Sequence, residues 1–261
     1  MTAEKVDFTD IPWGSVQWTM LVTLYLRAYE SHNQPSILDD RAAAEAVDRM
    51  KRAARPASTQ YTVALRAKQF DEWTVDFLQR HPDAVVLHLG CGLDSRAFRL
   101  DLPAGVMWYD VDVPQVIELR RRVYDETDRY HMIASSVTET DWLEKIPSDR
   151  PLLMVAEGLL MYLKPEPVRQ LLQRLTDRFS TGEMLFDVGP VWGARLSKMQ
   201  NWGVGDVHEI ERWNPRLQLM ANVSVVDGYE RIPDKGYRRL FRALRYLPFI
   251  RSYVRELRFT F

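Results

Sequence analysis

The stretch VVLHLGCGLDSRAFRL, residues 85–100, runs apolar and turns on Gly90 and Gly92 around Cys91. It then places Asp94 and Arg96 where a helix should begin. A buried strand that ends in Gly-x-Gly brings backbone amides against a ligand with no Cβ in the way. In an open α/β sheet that is also where ligands bind, outside the carboxyl ends of the strands. A dinucleotide loop would want a third glycine at position 95, which here is Ser95, and Asp94 and Arg96 crowd the place of a diphosphate. The loop therefore favours a nucleoside ligand without a diphosphate, and S-adenosylmethionine is the expected one. Downstream, MWYDVDVP closes a second strand on Asp110 and Asp112. A carboxylate there can accept both hydroxyl hydrogens of a ribose; it can also simply end a strand. VAEGLLMYL sets Glu157 among apolar neighbours at the end of another strand. A carboxylate in that setting needs a partner, either a ligand ammonium or an arginine from a neighbouring helix.

The elements that must position these residues follow from periodicity. SVQWTMLVTLYLRAYES places Trp18, Leu21, Val22, Tyr25 and Tyr29 on one helical face. Asp39 or Asp40 caps a second helix beginning RAAAEAVD, and helix formers run from Val63 to Arg80. Strands are then expected at residues 84–89, 106–110, 130–134, 152–156 and 184–188. A short helix opens at Ser95, another at Pro114, and KPEPVRQLLQRLTDRF forms a third between the last two strands. Strands separated by helices imply parallel pairing through right-handed crossovers. RELRFTF reads as a last strand, and residues 190–233, with Trp192, Trp202 and Trp213, read as a cap.

LGCGLDSRAFRL, YDVDVPQV and VAEGLLMYL, in this order, resemble the leucine carboxyl methyltransferase family, which includes the tetracenomycin-type polyketide O-methyltransferases. The upstream ALRAKQFDEWTVDFLQRHP is similar to that family's arginine-containing helix, and the likeness extends from about Leu26 to Val188. It implies an α/β, Rossmann-like class I methyltransferase fold: a mostly parallel seven-stranded sheet with helices on both faces and a helical cap. It also implies S-adenosylmethionine as donor. Residue by residue, Arg66 would hold the methionine carboxylate, Gly90 would lie against the methionine portion, Asp112 would hold the ribose and Glu157 would stand near the amino group. Where protein-modifying members carry Asp-Leu against adenine, this chain has Ser136 and Val137, whose hydroxyl and amide can still make polar contacts. Arg27 is the nearest match to a further lysine that assists with the carboxylate.

The expected activity is S-adenosylmethionine-dependent O-methylation of a small molecule, with S-adenosylhomocysteine as product. The transfer is an in-line displacement that needs mainly positioning. A carboxylate acceptor, steered by Arg195 or Arg212, is preferred to a hydroxyl because the motifs supply no base; His208 is the one candidate. A protein C-terminal carboxyl methyltransferase and a non-catalytic nucleoside-binding regulator are the alternatives. Trp13, Trp18, Trp192, Trp202 and Trp213 are candidates for the acceptor's apolar walls. The organisation expected is an N-terminal helical cap over residues 1–60, a cofactor core over 61–189, a cap insertion over 190–233, and a final helix and strand over 234–261.

Bulk properties fit. The chain has 261 residues, 46% hydrophobic and 27% charged, with a net charge of −1. No global field draws in nucleic acid or a membrane surface. WTMLVTLYL is too short to span a bilayer, and the first residues do not read as a signal peptide. One cysteine suggests a reducing, cytoplasmic setting. Cys91 reads as a small loop residue, His88 as a core residue, and Arg120–Arg122 and the basic C-terminal segment as solvated helix faces. No metal is assigned, and the oligomeric state stays open.

Overall fold

The computed structural model describes residues 16–50, 59–197 and 200–261. Trp13 lies outside the described residues. Three helices come first: α1 (Val16–Glu30), α2 (Arg41–Asp48) and α3 (Gln60–Arg80). The alternating region then gives β1 (Val85–Leu89), α4 (Arg96–Arg99), β2 (Met107–Asp112), α5 (Pro114–Arg121), β3 (Tyr130–Ala134), β4 (Leu152–Ala156), α6 (Pro165–Arg178) and β5 (Gly182–Val188). After it come α7 (Val191–Leu196), α8 (Glu209–Trp213), β6 (Gln218–Ser224), α9 (Lys235–Leu244), α10 (Pro248–Arg251) and β7 (Arg255–Thr260).

The seven strands form one sheet in the order β3-β2-β1-β4-β5-β7-β6. β1 to β5 run parallel, and β7 pairs antiparallel with both β5 and β6. The order reverses between β1 and β4, so a crevice opens at their carboxyl ends, where the glycine turn and Glu157 stand. β1, β4 and β5 are buried along their whole lengths because helices cover both faces. Alternation sends Val86, Trp108, Leu153 and Leu185 into a core shared with α1 and α3. It sends Val85, Leu87, Met154 and Leu257 into the opposite core, built on α6 and on residues around Trp202. Burying each large apolar side chain contributes roughly 1.5–3 kcal/mol.

Local signals explain the helix ends. Asp40, not Asp39, caps α2 by accepting from Ala43 N at 2.9 Å. Pro114 occupies the first turn of α5, where its missing N–H costs nothing.

Several expectations need correction. Tyr29 is exposed, and Leu24 and Ala28 complete the buried face of α1 instead. β2 runs two residues past the expected bound at 110 and ends on Asp112, the second of the two acids expected to close it. Residues 190–233, read throughout as a cap, contain β6, the outer edge strand of the sheet. Exposed Gln218, Met220 and Asn222 alternate with partly buried Leu219, Ala221 and Val223, as expected of an edge. Among the described residues, no helix is long and apolar enough to cross a membrane.

Candidate active site

β1 ends in the turn Gly90–Cys91–Gly92. Both glycines hold positive φ, +61° and +52°, a region closed to most L side chains. Gly90 N donates to Val111 O at 2.8 Å, which ties the turn to β2. A Cβ on Gly90 would lie 2.7 Å from Leu159 Cδ1, and one on Gly92 would lie 3.2 Å from Met20 Cγ. The turn therefore runs beneath one side chain that follows β4 and another from α1. Burial pushes the Cys91 thiol well up, with Asp110 adding to the effect. A thiol held protonated is no nucleophile.

Asp112 stands beside this turn. Its Oδ2 accepts from Gly92 N at 2.9 Å and its Oδ1 from Val113 N at 2.8 Å. An ionised carboxylate offers about four lone-pair positions, so each oxygen keeps one for a ligand hydroxyl. Burial raises its pKa, and the two amides oppose that rise. The ends of β2 and β3 are joined where Ser135 N donates to Asp112 O at 2.9 Å, which brings Ser136 and Val137 next to Asp112. The Ser136 hydroxyl pairs with Thr138 Oγ1 at 2.8 Å, and the Val137 side chain is buried.

Asp110 shares the face of β2 with Asp112 but lies deeper, and the structure removes it from the ribose candidates. It is fully buried, its Oδ1 accepting from Trp108 Nε1 at 2.8 Å and meeting His88 Nδ1 at 3.1 Å. Its Oδ2 accepts from Tyr130 Oη at 2.5 Å and pairs with Arg120. Burial alone would raise its pKa, but Arg120 and His88 hold it below the usual carboxylate range. Arg120 in turn donates from Nη1 to Gly92 O at 3.1 Å. Asp110 thus supports the glycine turn through Arg120. The expectation of a solvated Arg120 fails for the same reason, since its guanidinium is wholly buried among these partners.

Glu157 follows β4 and is buried between two arginines. Arg66 of α3 donates from Nε to Oε1 at 3.0 Å, and Arg96 of α4 donates from Nη2 to Oε2 at 2.6 Å. Burial would raise the Glu157 pKa, but the two guanidiniums bring it to about 2. Arg66 also donates from Nη1 to Asp187 Oδ2 of β5 at 3.0 Å. Each Glu157 oxygen keeps a lone pair for a ligand ammonium.

This pair is one edge of a larger buried array. Arg96 Nε donates to Asp71 at 2.8 Å, and Arg99 donates to Asp71 at 2.7 and 2.8 Å and to Asp94 at 2.5 Å. Ser95 Oγ donates to Asp40 at 2.6 Å, and Arg27 stands 3.6 Å from Asp94. Asp94 meets Arg27 of α1, Ser95 meets Asp40 at the start of α2, and Arg96 meets both Asp71 of α3 and Glu157 at the crevice, so this segment binds the turn to the N-terminal helices. Sequence reasoning missed Asp71, Arg99 and the support role of Arg120. The available signal was charge where apolar residues belong: Asp71 beside Phe70 on the inward face of α3, and two arginines in a four-residue helix.

The residues fit the expected cofactor. Arg27 Nε and Arg96 Nη1 are buried and make no hydrogen bond, though each stands beside a carboxylate, Asp40 at 4.0 Å and Asp94 at 3.6 Å. A donor without a hydrogen bond retains capacity for a further acceptor, and an amino-acid carboxylate is a matching one. The lone pairs left on Glu157 and Asp112, beside a turn with glycine at 90 and 92, match in kind the ammonium and ribose hydroxyls of S-adenosylmethionine. A hollow of about 370 Å³ lies outside α3, against Lys68, Asp71 and Arg99, and its lining does not include the glycine turn.

The cap residues fall elsewhere. His208 is exposed, with Nδ1 held 2.5 Å from Glu211 Oε2. Arg212 pairs with Asp206 at 2.9 Å on the surface, and Arg195 is exposed. Trp202 is buried and stacked on Trp213 with ring centroids 5.2 Å apart, and Trp18 is buried under α1, so these three are core residues rather than pocket walls.

The family model described as leucine carboxyl methyltransferase matches residues 20–176. The tetracenomycin polyketide synthesis O-methyltransferase TcmP of Streptomyces glaucescens is 40% identical, over 94% of this chain and 97% of that protein. The S-adenosyl-L-methionine-dependent methyltransferase dpfgK of Gibberella zeae is 30% identical, over 91% of each chain. Among solved structures, a candidate methyltransferase from Thermobifida fusca superposes with a TM-score of 0.57 at 16% identity, covering 90% of this chain and 93% of that one. That likeness is one of fold.

Proposed function

The chain belongs to the leucine carboxyl methyltransferase family, and on that premise we propose that it transfers a methyl group from S-adenosylmethionine to an oxygen of a small polyketide or related secondary metabolite. The observation that carries this reading is the grouping around one turn of two positive-φ glycines, two free lone pairs on Asp112, two on Glu157, and the Arg27 and Arg96 nitrogens that make no hydrogen bond.

When bound, the cofactor supplies an electrophilic methyl on a sulfonium. The protein's part is to bind and orient. Asp112 would hold the ribose hydroxyls and Glu157 the ammonium. Arg66, Arg27 and Arg96 would hold the carboxylate, and the glycines at 90 and 92 would let the backbone come close. Dispersal of charge in the transition state leaves positioning as the main source of acceleration.

The acceptor oxygen is assigned to a carboxylate. A phenol, with a pKa of about 10, needs a base before it attacks, whereas a carboxylate, at about 4, is already ionised. His208, the one histidine candidate for a base, is held on the surface by Glu211. The test is incubation with S-adenosylmethionine and a panel of carboxylated and hydroxylated polycyclic compounds, with S-adenosylhomocysteine and methylated product read by mass spectrometry. Rate against pH for the accepted compound should reach a plateau from about pH 6. A rate that climbs between pH 7 and 9 would replace the carboxylate by a hydroxyl.

A further inference from the structure

The net charge of −1 conceals an asymmetry. Residues 231–261 hold nine Lys or Arg against only Asp234 and Glu256, so the rest of the chain is net acidic. Part of this positive charge is neutralised in place. Arg231 pairs with Glu72 at 2.7 Å, Arg251 with Asp227 at 2.8 Å, and Arg258 with Glu183 at 2.6 Å. The rest stands on the outer side of α9. The inner side of that helix is fixed by Phe241, buried in one cluster with Leu65 and Val226, and by Tyr237, whose ring centroid lies 5.0 Å from that of Tyr61. Helical winding puts Lys235, Arg239 and Arg242 opposite those two rings. All three are exposed and have no acidic partner among the described residues. Apolar side chains stand beside them. Leu240 is 49% exposed, and past the helix end Tyr246, Leu247 and Phe249 are 76%, 40% and 56% exposed. Tyr246 N donates to Ala243 O and Leu247 N to Leu244 O, which carries the winding onward. Tyr246 therefore follows Arg242, and Leu247 follows Ala243, at the spacing of helix neighbours. α10 leads into β7, whose first residue Arg255 pairs with Val188 at the carboxyl end of β5.

We propose that the outer face of α9 and the turn into α10 dock on an anionic phospholipid membrane, with Lys235, Arg239 and Arg242 on lipid phosphates and Leu240, Tyr246, Leu247 and Phe249 entering the headgroup layer. The charge on the face selects an anionic partner, and the mixture of side chains selects a lipid surface. A helix with arginines and exposed apolar residues side by side is suited to the interface, where the two kinds of group settle at different depths. A protein partner that buried the apolar residues would have to bury the neighbouring cations too. A nucleic acid would meet the cations but leave the leucines and Phe249 in water. Because β7 starts where β5 ends, docking here would hold the carboxyl edge of the sheet towards the membrane.

The experiment is flotation of the full chain with vesicles of phosphatidylcholine alone and of its equal mixture with phosphatidylglycerol, at low and high sodium chloride. The mixed vesicles should bind the chain at least about tenfold more strongly, and high salt should remove most of the difference. Arg239→Ala and Arg242→Ala should each weaken binding about fivefold, and Arg239→Lys should restore it. Tyr246→Ser and Phe249→Ser should each weaken it about 3- to 10-fold while leaving the salt dependence unchanged. All these positions are exposed, so the variants should melt with the wild type. Equal binding to both vesicles, or binding to neither, overturns the proposal. Serine variants that float as the wild type does would reduce the face to charge attraction and overturn it as well. A dimer that forms without vesicles and is lost in the same variants would give the face to a second copy of the chain instead.

Discussion

Asp110 and Asp112 are two residues apart on one face of β2, yet their surroundings give them different tasks. Asp112 has two amide donors and spare lone pairs at the crevice. Asp110 has every valence filled inside the sheet. Asp112→Ala should weaken S-adenosylhomocysteine by roughly 1.5–3 kcal/mol, the worth of hydrogen bonds to a charged group, with little change in thermal stability. Asp110→Ala should destabilise the fold by about 3–5 kcal/mol, because it strands the buried Arg120. Calorimetry and thermal melts of both variants check the division. Unchanged cofactor affinity in Asp112→Ala would remove the ribose assignment.

Among the elements, the region after β5 carries a consequence for cap mutagenesis. Trp202 packs with Trp213, Val204 and Ile210 against strands β5 and β7. Trp202→Ala should cost about 3–5 kcal/mol of stability, as large core truncations do, rather than change substrate choice in a stably folded protein. A melt at the wild-type temperature would show that this stack is not structural. On β7, Glu256 lies opposite Asp187, is 1% exposed, and has Oε1 without a hydrogen-bond partner. Burial raises its pKa well above the usual range, and Asp187 and Glu157 add to the rise; Arg66 and Arg231 oppose it. A carboxyl whose folded pKa is raised adds stability below its unfolded value, near 4.3, and loses it as pH climbs towards the folded value. Glu256→Gln cannot titrate. Its melting temperature should therefore equal or approach that of the wild type near pH 4.5 and exceed it by a growing margin up to pH 8. A margin independent of pH would show that Glu256 ionises normally.

At the scale of the whole molecule, the buried array couples cofactor binding to the N-terminal helices. Arg27, Asp40, Arg66 and Asp71 come from α1, the α2 cap and α3, and they meet Asp94, Ser95, Arg96, Arg99 and Glu157 around the glycine turn. A ligand that satisfies the orphaned arginine donors binds the folded state only. At about a hundred times its dissociation constant, S-adenosylhomocysteine should add about 2.7 kcal/mol, or roughly 5–10 °C in a chain of this size. Amides of α1 should gain hydrogen-exchange protection together with those of the glycine turn. Protection confined to the turn would show that α1 is not coupled to the site.

The sequence alone determined the alternation that builds β1 to β5, and it placed Gly90, Gly92, Asp112 and Glu157 at strand ends. Both follow from local information. Periodicity is written in adjacent residues, and parallel strands bring their carboxyl ends to one edge whatever lies between. Tertiary structure alone decided which carboxylates stay open. Arg96 meets Glu157 across 61 positions and Asp71 across 25. A charged residue reads as solvated until the partner that permits its burial is known. The same holds for β6, whose alternation is broken by exposed Met220 and becomes a strand once β7 supplies a ladder. It holds for Trp192 and Tyr253, whose rings stand 6.1 Å apart because β7 runs antiparallel to β5 and returns the chain to the edge where β5 ends.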